Sequence, residues 1–533
     1  MRVVIDVESS YPLRRIWRYV GYDEPNYTYT ENGRALLSKL GRLPDAPTYI
    51  RCHFLLCSGD GVGAPKWGST NVYTEDEQGR PIYDWTIIDR ILDTIVDAGC
   101  LPFVELGFMP DALTSAPEDV PYSGATAEGW GYPPRDYARW MDLIRTLGRH
   151  CLARYGLREV SRWIWELWNE PDIFYWRGTP EEYCRLYDFT VAGLTQAIPQ
   201  AKIGGPGTTS PANPKAGAFL RTFLEHCVHG GNAITGERGT RLDYISFHTK
   251  GGGYGREPDA PKKTPTLHEL LRHVDAGLSI IAEFTELRRH EVILSECDPD
   301  GWAAGSIREN PNLVYRNSEY YASYVAGAAC RLLHITNPHG PRVDGMLTWA
   351  FQFENRDTFA GLRTLSTNGI DKPVLNALRL LSRLGGHQLA ARVVPGEAFE
   401  DGEPGTQLAC IATQDDAGTV AVLLVAHHDD WDVEMPLTVT LDLAGLEPGR
   451  TYQVTRTTVD RDHANSYTAW LAEGSPAQPD PAQHHRLREA ARLSGVTLSP
   501  IVATEGVADL SVKLLPHSVS LMRFEPILKE VSP

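Results

Sequence analysis

No stretch of this 533-residue chain approaches the run of about 18 apolar residues that a membrane-spanning helix needs. The N-terminus, Met1-Arg2-Val3-Val4-Ile5-Asp6-Val7-Glu8, lacks the apolar core of a secretory leader and reads as a strand. Together these absences lead us to expect a soluble, cytoplasmic protein with no membrane partner. A basic tract is missing too: 51 Lys and Arg face 68 Asp and Glu, for a formal net charge of -17. Nucleic acids and anionic surfaces are held by clustered Lys and Arg, so neither is expected as a partner, whereas a neutral small molecule is indifferent to that charge. The nine cysteines, at 52, 57, 100, 151, 184, 227, 297, 330 and 410, are odd in number and form no Cys-x-x-Cys. Free buried thiols in a reducing compartment are expected. Cys297 beside Glu296 would be a thiol nucleophile only with a histidine to activate it, and none is placed for that. No Gly-x-Gly-x-x-Gly follows the first strand, which argues against a dinucleotide. We find no internal repeat and no low-complexity tract.

What the chain does have is a strict alternation. Eight short apolar runs recur at 16–21, 49–56, 101–109, 162–170, 202–207, 242–249, 291–297 and 343–351. Segments of helical period lie between most of them. Tyr83 to Gly99 carries Trp85, Ile88, Ile91, Leu92, Ile95 and Val96 on one face; Asp136 to Gly156 opens on an acidic cap and ends at glycine; Thr179-Pro180-Glu181-Glu182 supplies an N-cap, a first-turn proline and two first-turn acids. Leu267 to Leu287 and Glu319 to Ile335 follow. Strands alternating with helices give parallel strands and right-handed crossovers, and eight such units favour a (β/α)8 TIM barrel. Beyond about residue 385 the texture becomes β-rich, with runs at Leu408–Ala412, Val420–Ala426, Leu437–Leu443, Tyr452–Thr458 and Ser518–Phe524. We therefore expect an α/β chain of three parts: residues 1–14 as a strand joining a C-terminal β-sandwich, 15–385 as the barrel, and 386–533 as the sandwich. Glycine- and proline-rich insertions at 57–71, 110–135 and 250–265 are expected to wall the pocket. His427-His428-Asp429-Asp430 reads as a solvated turn.

In such a barrel the chemistry lies at the C-terminal ends of the strands. Two glutamates end apolar runs there: Glu170 in Trp168-Asn169-Glu170-Pro171-Asp172 on the fourth strand, and Glu296 in Leu294-Ser295-Glu296-Cys297-Asp298-Pro299 on the seventh. A facing carboxyl pair is the apparatus of glycoside hydrolysis, one group protonating the leaving oxygen and the other attacking the anomeric carbon. Glu170 follows Trp163, Trp165 and Trp168, surroundings that favour the protonated acid. Glu296, flanked by Ser295 and Asp298, suits the ionised nucleophile. Asn169 is placed to donate to a sugar 2-hydroxyl, and His53 and His248 to contact sugar hydroxyls; they lack the spacing and carboxylate set of a metal site, and no cofactor is expected. Glu105 and Glu166, inside strands, read as interior hydrogen-bond partners. Trp349 either fills the core or stacks under the sugar. A sugar-binding barrel without catalysis would need one of the two glutamates displaced.

These segments resemble glycoside hydrolase family 39, which holds β-xylosidases and α-L-iduronidases. The likeness runs through Arg51-Cys52-His53, Phe103 to Pro110, Trp165-Glu166-Leu167-Trp168-Asn169-Glu170-Pro171, Ile203-Gly204-Gly205-Pro206, Asp243 to His248, Ser295-Glu296, Asp371-Lys372-Pro373-Val374 and Asp462 to Tyr467. It implies a retaining mechanism with Glu170 as acid/base and Glu296 as nucleophile. Phe103 to Pro110, with Phe108, and Trp349 to Glu354 resemble the compact bacterial β-xylosidases. That implies an exo-enzyme releasing xylose from xylo-oligosaccharides. His248-Thr249-Lys250-Gly251 and Asp298 to Trp302 also resemble the iduronidase branch, in which the lysine matching Lys250 and the amides matching Gly301 and Trp302 hold a C5 carboxylate. Arg363 has a counterpart there. For a xyloside, Lys250 would need another partner, and Glu354 is the expected one. An iduronidase or other pentosidase such as an arabinosidase is the alternative. A homo-oligomer is compatible with the sequence.

Overall fold

The computed structural model describes residues 1–123, 128–252, 265–335, 340–394 and 407–527. Strand β1 (Arg2–Pro12) is followed by eight parallel strands that close into a barrel. These are β2 (Tyr19–Tyr22), β3 (Tyr49–Cys52), β4 (Leu101–Leu106), β5 (Ile164–Leu167), β6 (Lys202–Thr208), β7 (Tyr244–Lys250), β8 (Glu291–Asp298) and β9 (Val343–Trp349). Each pairs with its successor, and β9 returns to β2 with Leu347 opposite Tyr19. All eight fall on the expected apolar runs. Helices take the crossovers, and side chains cap them: Asp136 accepts from Ala138 and Arg139 at the start of Tyr137–Tyr155, and Thr179 forms a capping box with Glu182 ahead of Pro180–Ala197. Such caps are worth about 1 kcal/mol each.

Apart from two short antiparallel pairs, Tyr73–Glu75 with Pro81–Tyr83 and Ser366–Thr367 with Ile370–Asp371, the remaining strands join β1 in a nine-stranded, mostly antiparallel sheet curled into the sandwich. They are β10 (His387–Val394), β11 (Gln407–Gln414), β12 (Val420–His427), β13 (Leu437–Ala444), β14 (Thr451–Val459), β15 (Gly495–Val502), β16 (Val507–Leu514) and β17 (Ser518–Pro526). β1 enters this sheet between β10 and β13, setting Val3 opposite Val393 and Leu441. Val3, Ile5, Leu389, Leu424, Val439 and Phe524 share its core. Neither β15 nor β16 was read from the sequence: β15 is largely exposed, whereas β16 alternates and buries Ala508, Val512 and Leu514 on its inner face.

The turn at 427–430 is a correction. His427 is fully buried where the sandwich meets the helix Glu319–Leu333; its Nδ1 is 2.9 Å from Ser323 Oγ, and its ring is 4.8 Å from Tyr320. Asp429 accepts from Leu267 N at 2.8 Å. A His-Asp run looks solvated in sequence, yet here it is the seam between two domains.

Candidate active site

The ends of β3, β5, β7 and β8 bring their polar residues to one point. β7 and β8 pair with a register shift between Leu294 and Glu296, which sets Glu296 opposite His248 and Asp298 opposite Lys250. Beyond β5 the chain turns sharply: Trp168 and Glu170 both adopt left-handed backbone, with φ of 67° and 43°. Such residues cost roughly 1–3 kcal/mol each and persist where their surroundings impose them. Here Trp168 N donates to Leu106 O, Trp168 Nε1 to Tyr175 O at 2.9 Å, and Glu170 N to Gly207 O at 2.9 Å. Asp172 fastens the next turn by accepting from Thr209 N at 2.8 Å.

The result is a compact cluster. His248 Nδ1 is 2.9 Å from Glu170 Oε1 and 3.8 Å from Glu296 Oε1. The nearest atoms of Glu170, His248 and Glu296 all lie within 4.8 Å of one another. Lys250 Nζ reaches Glu296 Oε2 at 2.5 Å and Asp298 Oδ2 at 2.8 Å. Burial raises the Glu296 carboxyl, but Lys250, His248, His53 and Arg51 outweigh it and hold it well below the ordinary carboxylate range. Glu170, His248 and Glu296 are also the group among the described residues that converges enough to take a metal ion.

Beneath lies an ionic floor whose centre carried no signal of its own in the sequence. Arg51, wholly buried, donates from Nε to Glu166 Oε2 at 2.6 Å and from Nη2 to Asn169 Oδ1 at 3.0 Å, and it sits 2.9 Å from Glu105 Oε2. Binding Asn169 through its oxygen leaves the Nδ2 amide, without a protein partner, as the free donor. Burial, only partly offset by Arg51, drives the Glu105 carboxyl far above its usual range. Burial and Arg51 push His53 well below the ordinary imidazole value. Glu105 Oε2 and His53 Nδ1 lie 2.6 Å apart, within hydrogen-bond reach. The other ring nitrogen of His53, Nε2, faces Asp23 Oδ1 at 3.5 Å and Glu296 Oε1 at 3.7 Å.

The other expected residues fall into two groups. Trp349 is almost fully buried, with its ring packed on Gly21 and 4.3 Å from the His53 ring. Phe108 is fully buried and stacks on Tyr175 at 5.4 Å, so it supports the wall from behind. Gly301 edges a cleft of about 630 Å³ that opens on the outer side of Glu170, His248 and Lys250. Trp302 N donates to Asp300 Oδ1 at 3.0 Å. Arg363 is buried beneath, 3.6 Å from Asp298 and donating from Nε to Trp349 O at 2.9 Å. Glu354 is not brought to Lys250: its carboxylate accepts from Thr30 Oγ1 at 2.7 Å and from Asn32 and Gln352, at the start of the helix Glu31–Leu40. The partners of Lys250 are Glu296 and Asp298. Burial pushes the Cys297 thiol up to about 12, away from the thiolate that a nucleophile needs, and all nine cysteines are free and buried. Of the insertions, 57–71 walls the site beside Asp23; most of 250–265 lies outside the described residues. Among the described residues no helix is long and apolar enough to cross a membrane.

The sequence pattern of the Glycosyl hydrolases family 39 matches residues 1–502. A β-xylosidase of Geobacillus stearothermophilus is 27% identical over 519 residues, covering 91% of this chain and 87% of that protein. An α-L-iduronidase of Mus musculus is 27% identical over 521 residues, covering 91% and 75%. Among solved structures, a bacterial orthologue of human α-L-iduronidase superposes with a TM-score of 0.77 at 25% identity, covering 99% of this chain and 84% of that one.

Proposed function

We propose, for a chain that belongs to glycosyl hydrolases family 39 and is thus a glycosidase of carbohydrate substrates, that it releases xylose from β-xylosides with retention. Glu170 protonates the departing oxygen, Glu296 attacks the anomeric carbon, and Glu170 then deprotonates the water that hydrolyses the xylosyl-enzyme. The observation that carries this reading is that facing oxygens of the Glu170 and Glu296 carboxylates come within 4.8 Å of each other. Retaining glycosidases hold their carboxyl groups about 5–5.5 Å apart, and inverting ones about 6.5–9.5 Å to fit a water between them. The cleft outside Glu170 supports it as the acid, since the leaving group departs on that side. The low pKa of Glu296 supports it as the group that stays ionised.

The neutral pentose is supported by the charge count on the far flank. Lys250, Arg316 and Arg363 are matched there by Glu296, Asp298 and Asp300. A uronate would add a carboxylate to a flank where Lys250, Arg316 and Arg363 are each already paired with a carboxylate, and Trp302 N is already bonded to Asp300. A second reading, an α-L-iduronidase, is favoured by one observation: Lys250 edges the open cleft beside Gly301. Turnover of nitrophenyl β-xyloside against 4-methylumbelliferyl α-L-iduronide decides between them. Hydrolysis of neither would sink both.

A further inference from the structure

Asp23 lies just beyond β2 and is 2% exposed. One of its oxygens faces His53 Nε2, the atom that also faces Glu296. The other accepts from Lys66 Nζ at 2.9 Å. Lys66 belongs to the 57–71 loop, for which the proposed chemistry has no use. The loop is nonetheless firmly tied down. Lys66 N donates to Glu24 Oε1 at 2.6 Å; Asn26 exchanges two bonds with Ser69, at 2.9 and 2.8 Å; Tyr29 donates to Gly61 O at 2.5 Å. Lys66 itself is held at φ 58°, a backbone a lysine adopts only when constrained. The constraint sets a cation against the buried Asp23 carboxylate while leaving 40% of the Lys66 side chain accessible.

The positions of the other groups say what this pair faces. With the anomeric carbon at Glu296 and Glu170, Asn169 flanks C2 and Lys250 with Asp298 flanks C5. His53 stands between Glu296 and Asp23, so Asp23 lies beyond the reacting carbon, toward the ring edge that bears O3 and O4. A buried carboxylate with a fixed counter-cation is a strong acceptor for hydroxyl donors. We propose that Asp23, held by Lys66, accepts hydrogen bonds from the 3- and 4-hydroxyls of the glycone and so sets specificity for that edge. This rests on the β-xyloside reading above.

The test is kcat/KM on nitrophenyl β-xyloside and its 3-deoxy and 4-deoxy analogues, for the wild type, Asp23→Asn and Lys66→Met, with melting curves to check folding. Asp23→Asn should lose about 10- to 100-fold on the parent xyloside, and that loss should shrink to about threefold or less on at least one deoxy analogue, which lacks the hydroxyl being read. Lys66→Met, at an accessible loop position, should show the same pattern more weakly and serves if Asp23→Asn folds poorly. An equal loss on the parent and both analogues would overturn the proposal, leaving Asp23 a support for His53. An inert wild type would overturn the xyloside reading and this proposal together; an active one isolates the result to Asp23.

Discussion

Lys250 sets its ammonium 2.5 Å from one oxygen of Glu296 and 2.8 Å from Asp298, spanning neighbouring strands of the barrel. The contact holds Glu296 ionised in a buried site where its charge would otherwise be costly. Removing Lys250 therefore has a signed consequence. The Glu296 pKa rises, and a nucleophile must be ionised, so the acidic limb of the kcat/KM–pH profile moves toward neutral pH. In a xylosidase, Lys250→Met should show this shift with a modest loss at its new optimum; in an iduronidase the same substitution should abolish turnover.

Glu170→Ala should separate substrates by their leaving groups. General acid catalysis contributes roughly 10²–10⁴-fold when the leaving group needs a proton. Turnover of xylo-oligosaccharides should fall by about that much, while dinitrophenyl xyloside, whose phenolate leaves unaided, should lose far less in its first step. Equal losses on both would remove Glu170 from the acid role.

Arg51→Met should be costly before any catalysis is measured. It strands Glu105 and Glu166, both fully buried, without their cation. Breaking a buried ion pair from one side costs about 3–5 kcal/mol, which chemical denaturation would register as a lowered midpoint. An unchanged midpoint would mean the floor tolerates neutral acids throughout.

The seam between barrel and sandwich predicts acid sensitivity. Burial, reinforced by His427 and His428, pushes the His517 pKa down to about 3, against about 6.5 for an unfolded histidine. The unfolded chain therefore binds a proton that the folded chain refuses until about pH 3. Stability is lost as pH falls from about 6.5, by up to about 1.4 kcal/mol per pH unit from this group. His517→Gln should flatten the dependence of the melting temperature on pH in that window; an unchanged slope would contradict the assignment.

Much of this was legible in the sequence because barrel strands are buried on both faces and spell themselves out in Val, Ile, Leu and aromatics. Glu170 and Glu296 stood out as carboxylates at the ends of such runs. Arg51 did not, since one charged residue inside a four-residue strand looks like an interruption until its three carboxylate neighbours are seen in space. Asp23 and Lys66 are 43 positions apart, and nothing local relates them. Glu354 was misread for the opposite reason: it follows the eighth strand closely in sequence, but the chain turns away and delivers it to Thr30 and Asn32. His427 looked solvated because polarity in sequence does not reveal which domain will cover it.

The account stands on Glu296 as the covalent nucleophile. The most direct measurement is peptide mass spectrometry after inactivation with dinitrophenyl 2-deoxy-2-fluoro-β-xyloside, which slows hydrolysis of the glycosyl-enzyme. The account predicts a single 2-fluoroxylosyl adduct on Glu296. An adduct on Glu170 or another residue, or none in an enzyme that turns over the unfluorinated xyloside, would contradict it.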